Sequence, residues 1–464
     1  MDAVQRVLAR IDENEAADVR ATQDFLRQPS VSLTGEGIPE TADLTASMLR
    51  GLGATDVRVL TFKDGHPLVY GKLDSDGAKK RMLIYNMYDV MPVEPMEAWT
   101  SGPWSANIVD RKIVARGAVN TKGPLMAFLN AVKAIRQADS LPVNLTFLIE
   151  GEEELESRHL PQALDILRAE LSGADCVYMH ATTQTPVTRY KPIVWLGSKG
   201  QVDFEFEVAS GAKEVHSMWS NWVDNPVWRL VWALDSMRGP DDRVLVEGFY
   251  DDIVPPSKED MEVMEKLLPT LDVESVKEAF GLDHIRGGLS GMEMLQDIFF
   301  RPNPINISGI QSGYNGPGIR GAVPATVRAK AEVRIVPDMK PEKVSAALKA
   351  HLLKHGFGDV KVKSNEGYPG AKTSPTSPLA RACLLALERL GFDPLAGPLN
   401  PGGAPVYLFQ SKLNLPMVFS GIGYNDLAHI PNEYITIEQL LQSEKLAAVT
   451  MYEFAAQVDD PPRD

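Results

Sequence analysis

The chain has almost no cysteine. Cys176 and Cys383 are the only two in 464 residues, and they lie far apart. This excludes a disulfide framework and a cysteine-based zinc site. Long apolar runs are also missing, and no stretch approaches the ~18 residues that would span a bilayer. The N-terminus, Met1-Asp2-Ala3-Val4-Gln5-Arg6, continues into a charged amphipathic pattern without the apolar segment of a signal peptide. A reducing, cytoplasmic location is the expectation. Basic excess is absent too. The formal net charge of −15 argues against nucleic-acid and anionic-membrane partners, both of which need clustered Lys and Arg. No internal repeat and no low-complexity tract is visible.

What remains is a globular composition, 44% hydrophobic and 23% charged, in a chain long enough for two or three domains and a deep cleft. Apolar residues at helical spacing (Val4, Val7, Leu8, Ile11) predict an N-terminal helix over residues 2–27. Apolar runs at 81–85, 141–149 and 175–179 predict buried strands, with a helix over 123–135 between the first two. Strands alternating with helices predict an α/β domain built on a mostly parallel sheet. Near residue 200 the pattern changes. Val202, Phe204, Phe206 and Val208 alternate with polar residues, as do Val327, Ala329, Ala331, Val333 and Ile335. That is an inserted α+β unit with one solvated sheet face. A helix over 378–390, a strand over 415–420 and a closing helix over 437–458 are expected to rejoin the first sheet. The expected division is a catalytic domain of residues 1–198 and 366–464, with a lid and dimerisation domain of residues 199–365 between its halves. The tail Asp459–Asp464 is expected to fray.

Chemistry-bearing residues cluster after the predicted strands: Asp89, Asn120, Glu153, Glu154, His180 and His429. Hydrolytic metal sites need hard or borderline ligands on rigid strand ends, with a carboxylate base near the bound water. The adjacent pair Glu153–Glu154 ends an apolar strand, so one carboxylate can bind metal while its neighbour takes a proton. His66, His159, His284, His351 and His355 lie in charged or loop-like surroundings and read as surface residues.

These segments are ordered along the chain as Tyr88-Asp89-Val90, Arg116-Gly117-Ala118, Lys122-Gly123, Glu152-Glu153-Glu154, Val215-His216-Ser217, Arg334-Ile335-Val336-Pro337, Gly402-Gly403 and His429-Ile430-Pro431-Asn432-Glu433. Together they resemble the aminoacylase, carnosinase and carboxypeptidase-G family of co-catalytic zinc peptidases. The resemblance covers nearly the whole chain. It implies that Glu153 is the general base, that Glu154 and His429 bind the second metal, and that Asp89 orients a ligand of the first. It implies a role for Asn120 between the two metals, followed by a cis peptide, and puts His180 at a ligand of the first metal. His216 matches a lid histidine that reaches the partner subunit's site in a homodimer and stabilises the oxyanion. Arg334 matches an arginine that binds the substrate carboxylate, and Gly402 and Gly403 match substrate-binding positions.

The sequence departs from that pattern where metal is held. Met87 stands where a histidine ligand is usual, Asn120 and His180 where aspartates are usual, Glu156 where glycine is common, and Ala404 where a serine is usual. Glu154 is then the one anionic ligand left, too little charge to hold two adjacent dications. Glu154, His180, His429 and Asn120 suit one divalent transition metal, Mn, Zn or Fe. The expectation is a hydrolase acting on a C–N bond of a small carboxylate-bearing substrate. The alternatives are a hydrolytic deaminase of an aromatic amino acid of nitroanthranilate type, an ordinary dipeptidase, a metal-independent enzyme, and a non-catalytic small-molecule binder.

Overall fold

The computed structural model describes residues 1–458, and the Asp459–Asp464 tail lies outside the described residues. The main body is an eight-stranded sheet whose central strands run Asn144–Glu150, Arg81–Met87, Cys176–His180 and Met417–Ser420 in spatial order. These four pair in parallel. Thr55–Leu60 and Leu68–Leu73 add antiparallel edge pairs on one side. Ile193–Trp195 joins Met417–Ser420 antiparallel on the other side. Leu395–Gly397 closes that edge, parallel to Ile193–Trp195, so the sheet is mixed, with four parallel strands at its centre.

The central strands are buried on both faces, which is why their sequences are continuous apolar runs. One face is covered by helices Ala3–Arg27, Lys122–Ala138, Pro378–Arg389 and Ile437–Ala456. Asp2 starts the first of these as a capping box, its carboxylate accepting from Gln5 N at 2.7 Å. The opposite face is covered by Leu160–Ile166 and Val406–Leu413.

The second sheet has the order Asn306–Ser312, Thr326–Ile335, Gly197–Ala209, Lys361–Ser364, all antiparallel. Its alternation is the one read in the sequence. Val202, Phe204, Phe206 and Val208 pack inward with Val327 through Ile335 on helices Pro226–Met237 and Pro341–Lys354. Glu205, Arg328 and Lys330 face out. Not all of residues 199–365 joins this sheet. Helices Lys258–Leu267 and Gly291–Phe300 put Met264, Leu267, Leu295 and Phe299 into the second core of the main body, beside Ile193, Trp195 and Leu395. The expected boundary at 198/199 falls inside one continuous strand, Gly197–Ala209. Its first residues pair with Ala371–Lys372 and Asn400–Gly403 and the rest with the second sheet. No helix among the described residues is long and apolar enough to cross a membrane.

Phe128 lies at the centre of the first core, with its ring 6.4 Å from Phe147 and 6.1 Å from Tyr178. Phe128→Ala is expected to cost about 3–5 kcal/mol, read as a lower urea midpoint at unchanged slope. A loss under about 1 kcal/mol would mean that the surrounding helices collapse into the space.

Candidate active site

The C-terminal ends of the parallel strands open into a cleft of about 430 Å³ between the main body and the second sheet. Glu153, Glu154, Asn120 and His429 line it from the main body, and Arg334 and Gln201 from the second sheet. Each is placed by a specific local device.

Strand Asn144–Glu150 delivers the acidic run. Glu150 itself stays buried, accepting from the Tyr85 hydroxyl and from Ser157 Oγ at 2.8 Å. Burial pushes its carboxyl up to about 8. A Cβ on Gly151 would sit 2.3 Å from the Tyr88 hydroxyl, so only glycine lets the chain turn here. Asp89 is fully buried beneath the turn. It accepts from the backbone N–H groups of Glu153 at 3.3 Å and Glu154 at 3.0 Å, and from the Ser32 hydroxyl. Burial and the neighbouring Glu154 charge push it up to about 7. Asp89 thus holds the two glutamates in place and touches no ligand histidine. Glu153 is held well above the usual carboxylate range by desolvation, then by the charges of Glu154, Asp89 and Glu150.

Asn120 and His429 come from two loops fastened together by a buried ion pair. Arg116 and Glu433 are 1% and 0% exposed and bond at 2.8 Å. The other Glu433 oxygen accepts from Val119 N and Asn120 N at 2.8 and 2.9 Å. Arg116 also donates to the carbonyls of His429 and Ile430, both at 3.2 Å. The Asn120–Thr121 peptide is cis.

Three side-chain atoms then converge. Asn120 Nδ2 lies 2.9 Å from Glu154 Oε1 and 2.9 Å from His429 Nε2, and those two are 3.1 Å apart. No placement of protons satisfies all three contacts. Nε2 must carry a proton to meet the carboxylate and must lack one to accept from the amide. With the Asn120 amide turned to present its oxygen, a matter of assignment, all three atoms become acceptors. A triangle with edges near 3 Å is what bonds of about 2.0–2.1 Å to one cation produce. The residues fit one divalent ion here.

They do not fit a second. Met87 and Met179 are nearly buried, and with Ala181 and Phe419 they make the neighbouring wall of the cleft, which carries no oxygen or nitrogen donor of its own. His180 is not in the cleft, and the expectation that it binds metal is corrected. Its side chain points into the first core, fully buried, with Nε2 2.8 Å from Ser443 Oγ and Nδ1 2.9 Å from the Tyr178 hydroxyl. Desolvation lowers its pKa to about 3, so it is neutral. On strand Cys176–His180, Tyr178 and His180 face one side and Met179 the other, and Ala181 is the residue that continues toward the cleft. Among the described residues no three His, Cys, Asp or Glu side chains are grouped to hold a metal. Asn120 is the third side chain of the triangle.

The far end of the cleft is formed by Arg334, Tyr368, Gly402 and Gly403. A Cβ on Gly403 would meet the Tyr368 hydroxyl at 1.9 Å and Arg334 Nη1 at 3.0 Å, so a glycine is needed for this close approach. Glu332 lies 3.7 Å from the Arg334 guanidinium. Tyr368 and Tyr407 stack with centroids 5.8 Å apart and planes at 11°. Neither tyrosine was singled out in the sequence. The turn signal Gly367-Tyr368-Pro369-Gly370 was the available clue to the first. His216 does not line the cleft of its own chain. It is exposed on a short strand paired with Ala322, its Nδ1 accepting from Met218 N at 3.1 Å. Trp219 and Trp222 follow it, both exposed, with ring centroids 5.0 Å apart.

An α/β body with a carboxylate, an imidazole and a carboxylate base at its strand ends, facing an arginine on a second sheet, is the layout of a metallopeptidase. The chain belongs to the peptidase family M20/M25/M40, which matches residues 83–453. It is 28% identical over 444 residues to the Cys-Gly metallodipeptidase dug1 of Schizosaccharomyces pombe, covering 90% of this chain and 91% of that one. It is 29% identical over 321 residues to the Beta-Ala-His dipeptidase of Rattus norvegicus, a match that covers 67% of this chain and 64% of that protein. The crystal structure of an M20 family metallo-carboxypeptidase from Sulfolobus solfataricus superposes with a TM-score of 0.88 at 34% identity, covering 95% of this chain and 99% of that one.

Two substitutions test the geometry. His180→Ala is expected to lower thermal stability while leaving divalent-metal affinity within about threefold. A tenfold loss, the size seen when groups supporting a ligand are removed, would return His180 to the site. Glu433→Ala strands the Arg116 charge, and a destabilisation of about 3–5 kcal/mol is expected in chemical denaturation.

Proposed function

We propose that the protein is a hydrolase of a C–N bond, amide or related, in a small carboxylate-bearing molecule, working with a single divalent metal. The observation that carries the reading is the frustrated triangle of Glu154, His429 and Asn120, with Glu153 lining the same cleft. A dication of the Mn, Zn or Fe type would polarise the scissile carbonyl and acidify a bound water.

The chain's own residues do the rest. Glu153 takes the proton from the attacking water and returns it to the departing amine. Asp89 keeps Glu153 aimed by holding its backbone N–H. Arg334 donates to the substrate carboxylate, and the close backbone at Gly402–Gly403 closes the pocket around it. A homodimer is the proposed assembly. In it, His216 of one subunit donates to the oxyanion in the cleft of the other. Its exposure on the second sheet and its absence from its own cleft support this. The relatives named above are dipeptidases and a carboxypeptidase, so peptides and N-acyl amino acids are the first substrates to try.

Elemental analysis of protein purified without chelator is expected to give about one transition metal per chain. Two per chain would contradict the single-metal site. Glu153→Gln is expected to abolish turnover while metal content persists. Turnover at the wild-type rate would remove Glu153 from the base role.

A further inference from the structure

We propose that the wall made by Met87, Met179, Ala181 and Phe419 is a subsite for an apolar group, aryl or alkyl, on the acyl side of the scissile C–N bond. This rests on reading the cleft as a C–N hydrolase site and adds the class of acyl group that it takes.

The wall is built by the sheet itself. Strands Arg81–Met87, Cys176–His180 and Met417–Ser420 are neighbours, and Met179 is the direct partner of Phe419. Met87, Met179 and Phe419 belong to one core cluster and therefore lie on one face. Ala181, two residues beyond Met179, continues that face toward the cleft. The three strand ends present two thioethers, a methyl and a phenyl ring side by side.

Nearby polar groups are committed elsewhere. The Thr182 hydroxyl donates to Val119 O at 3.2 Å, and the Asn86 amide donates to His180 O at 2.8 Å. Thioethers are soft, neutral donors that hold Mn²⁺, Fe²⁺ or Zn²⁺ poorly. A cationic substrate group would find no carboxylate on this wall. An apolar group loses nothing by entering, and covering such a surface is favourable. Thioether sulfurs beside a phenyl ring also make good contacts with an aromatic guest.

Direction follows from the rest of the cleft. A carboxylate held by Arg334 sits on the second-sheet side, and the scissile carbonyl sits by Glu153. The substituent on the far side of that carbonyl then faces the strand ends. Ala181 is the smallest residue of the wall, and a larger side chain there would project into the cleft that it lines.

The test compares benzoylglycine with acetylglycine, which share the carboxylate and the amide and differ only in phenyl against methyl. Binding is measured by calorimetry on the metal-loaded Glu153→Gln protein, so that the result does not depend on turnover. Benzoylglycine is expected to bind at least tenfold more tightly, the scale of burying an aromatic side chain. Ala181→Leu in the same background is expected to remove the difference while leaving acetylglycine within about threefold. Met87→Gln, nearly isosteric, should reduce the ratio in the same way and serves if the leucine variant does not fold. Equal affinities, a difference that survives both substitutions, or no measurable binding of benzoylglycine would overturn the subsite. Failure of the hydrolase reading shows separately, as wild-type protein that binds these ligands and cleaves no amide.

Discussion

The cleft depends on one buried ion pair. Arg116 and Glu433 come from opposite ends of the chain and meet with almost no solvent contact. Such a pair contributes little net stability by itself, because desolvation offsets most of the attraction. Its value here is geometric. Glu433 fixes the backbone N–H of Asn120, while Arg116 fixes the carbonyl of His429. The two loops continue from a pair of antiparallel strands, Lys112–Val114 and Tyr434–Thr436, and beyond the end of that ladder the ion pair holds them so that their side chains meet at Glu154. Breaking either end leaves an uncompensated charge in the core and releases both donors.

The same economy governs the acidic run. Asp89 has kept its place, but its hydrogen bonds go to the backbone of Glu153 and Glu154 and to Ser32. With Met87 at the end of the strand, there is no imidazole for it to orient. In this half of the cleft Asp89 serves as a scaffold for the Glu153–Glu154 turn. Beside it stands the apolar wall of Met87, Met179, Ala181 and Phe419.

Much of the fold was legible because its strands are either unbroken apolar runs or strict alternations. Arg81–Met87, Asn144–Glu150 and Thr326–Ile335 were read within a few residues of their ends. Glu153, Glu154, Asn120 and His429 were legible as a group because each follows a strong structural signal, and the cleft does bring them together. His180 was not. Cys-Val-Tyr-Met-His is apolar on both faces, so nothing in its composition tells which residues look into the core. A shift of one position at a strand end exchanges a buried imidazole for the methyl of Ala181. The packing of Lys258–Phe300 was equally hidden. An amphipathic helix announces that it has an apolar face but not which surface that face will cover. Tyr407 was missed because stacking across a cleft leaves no trace in local sequence, and Tyr368 had only its turn signal to mark it.

The strand Gly197–Ala209 has a mechanical consequence. Lys199 pairs with Gly403, and Gln201, two residues on, pairs with Arg334. The arginine and the glycine backbone that face each other across the far end of the cleft are therefore clipped to the same ribbon, a few ångströms apart along it. The opening between them behaves like a fixed-gauge calliper, set by β-register. Whatever end of a ligand is seated there meets a gap whose width is set by that register.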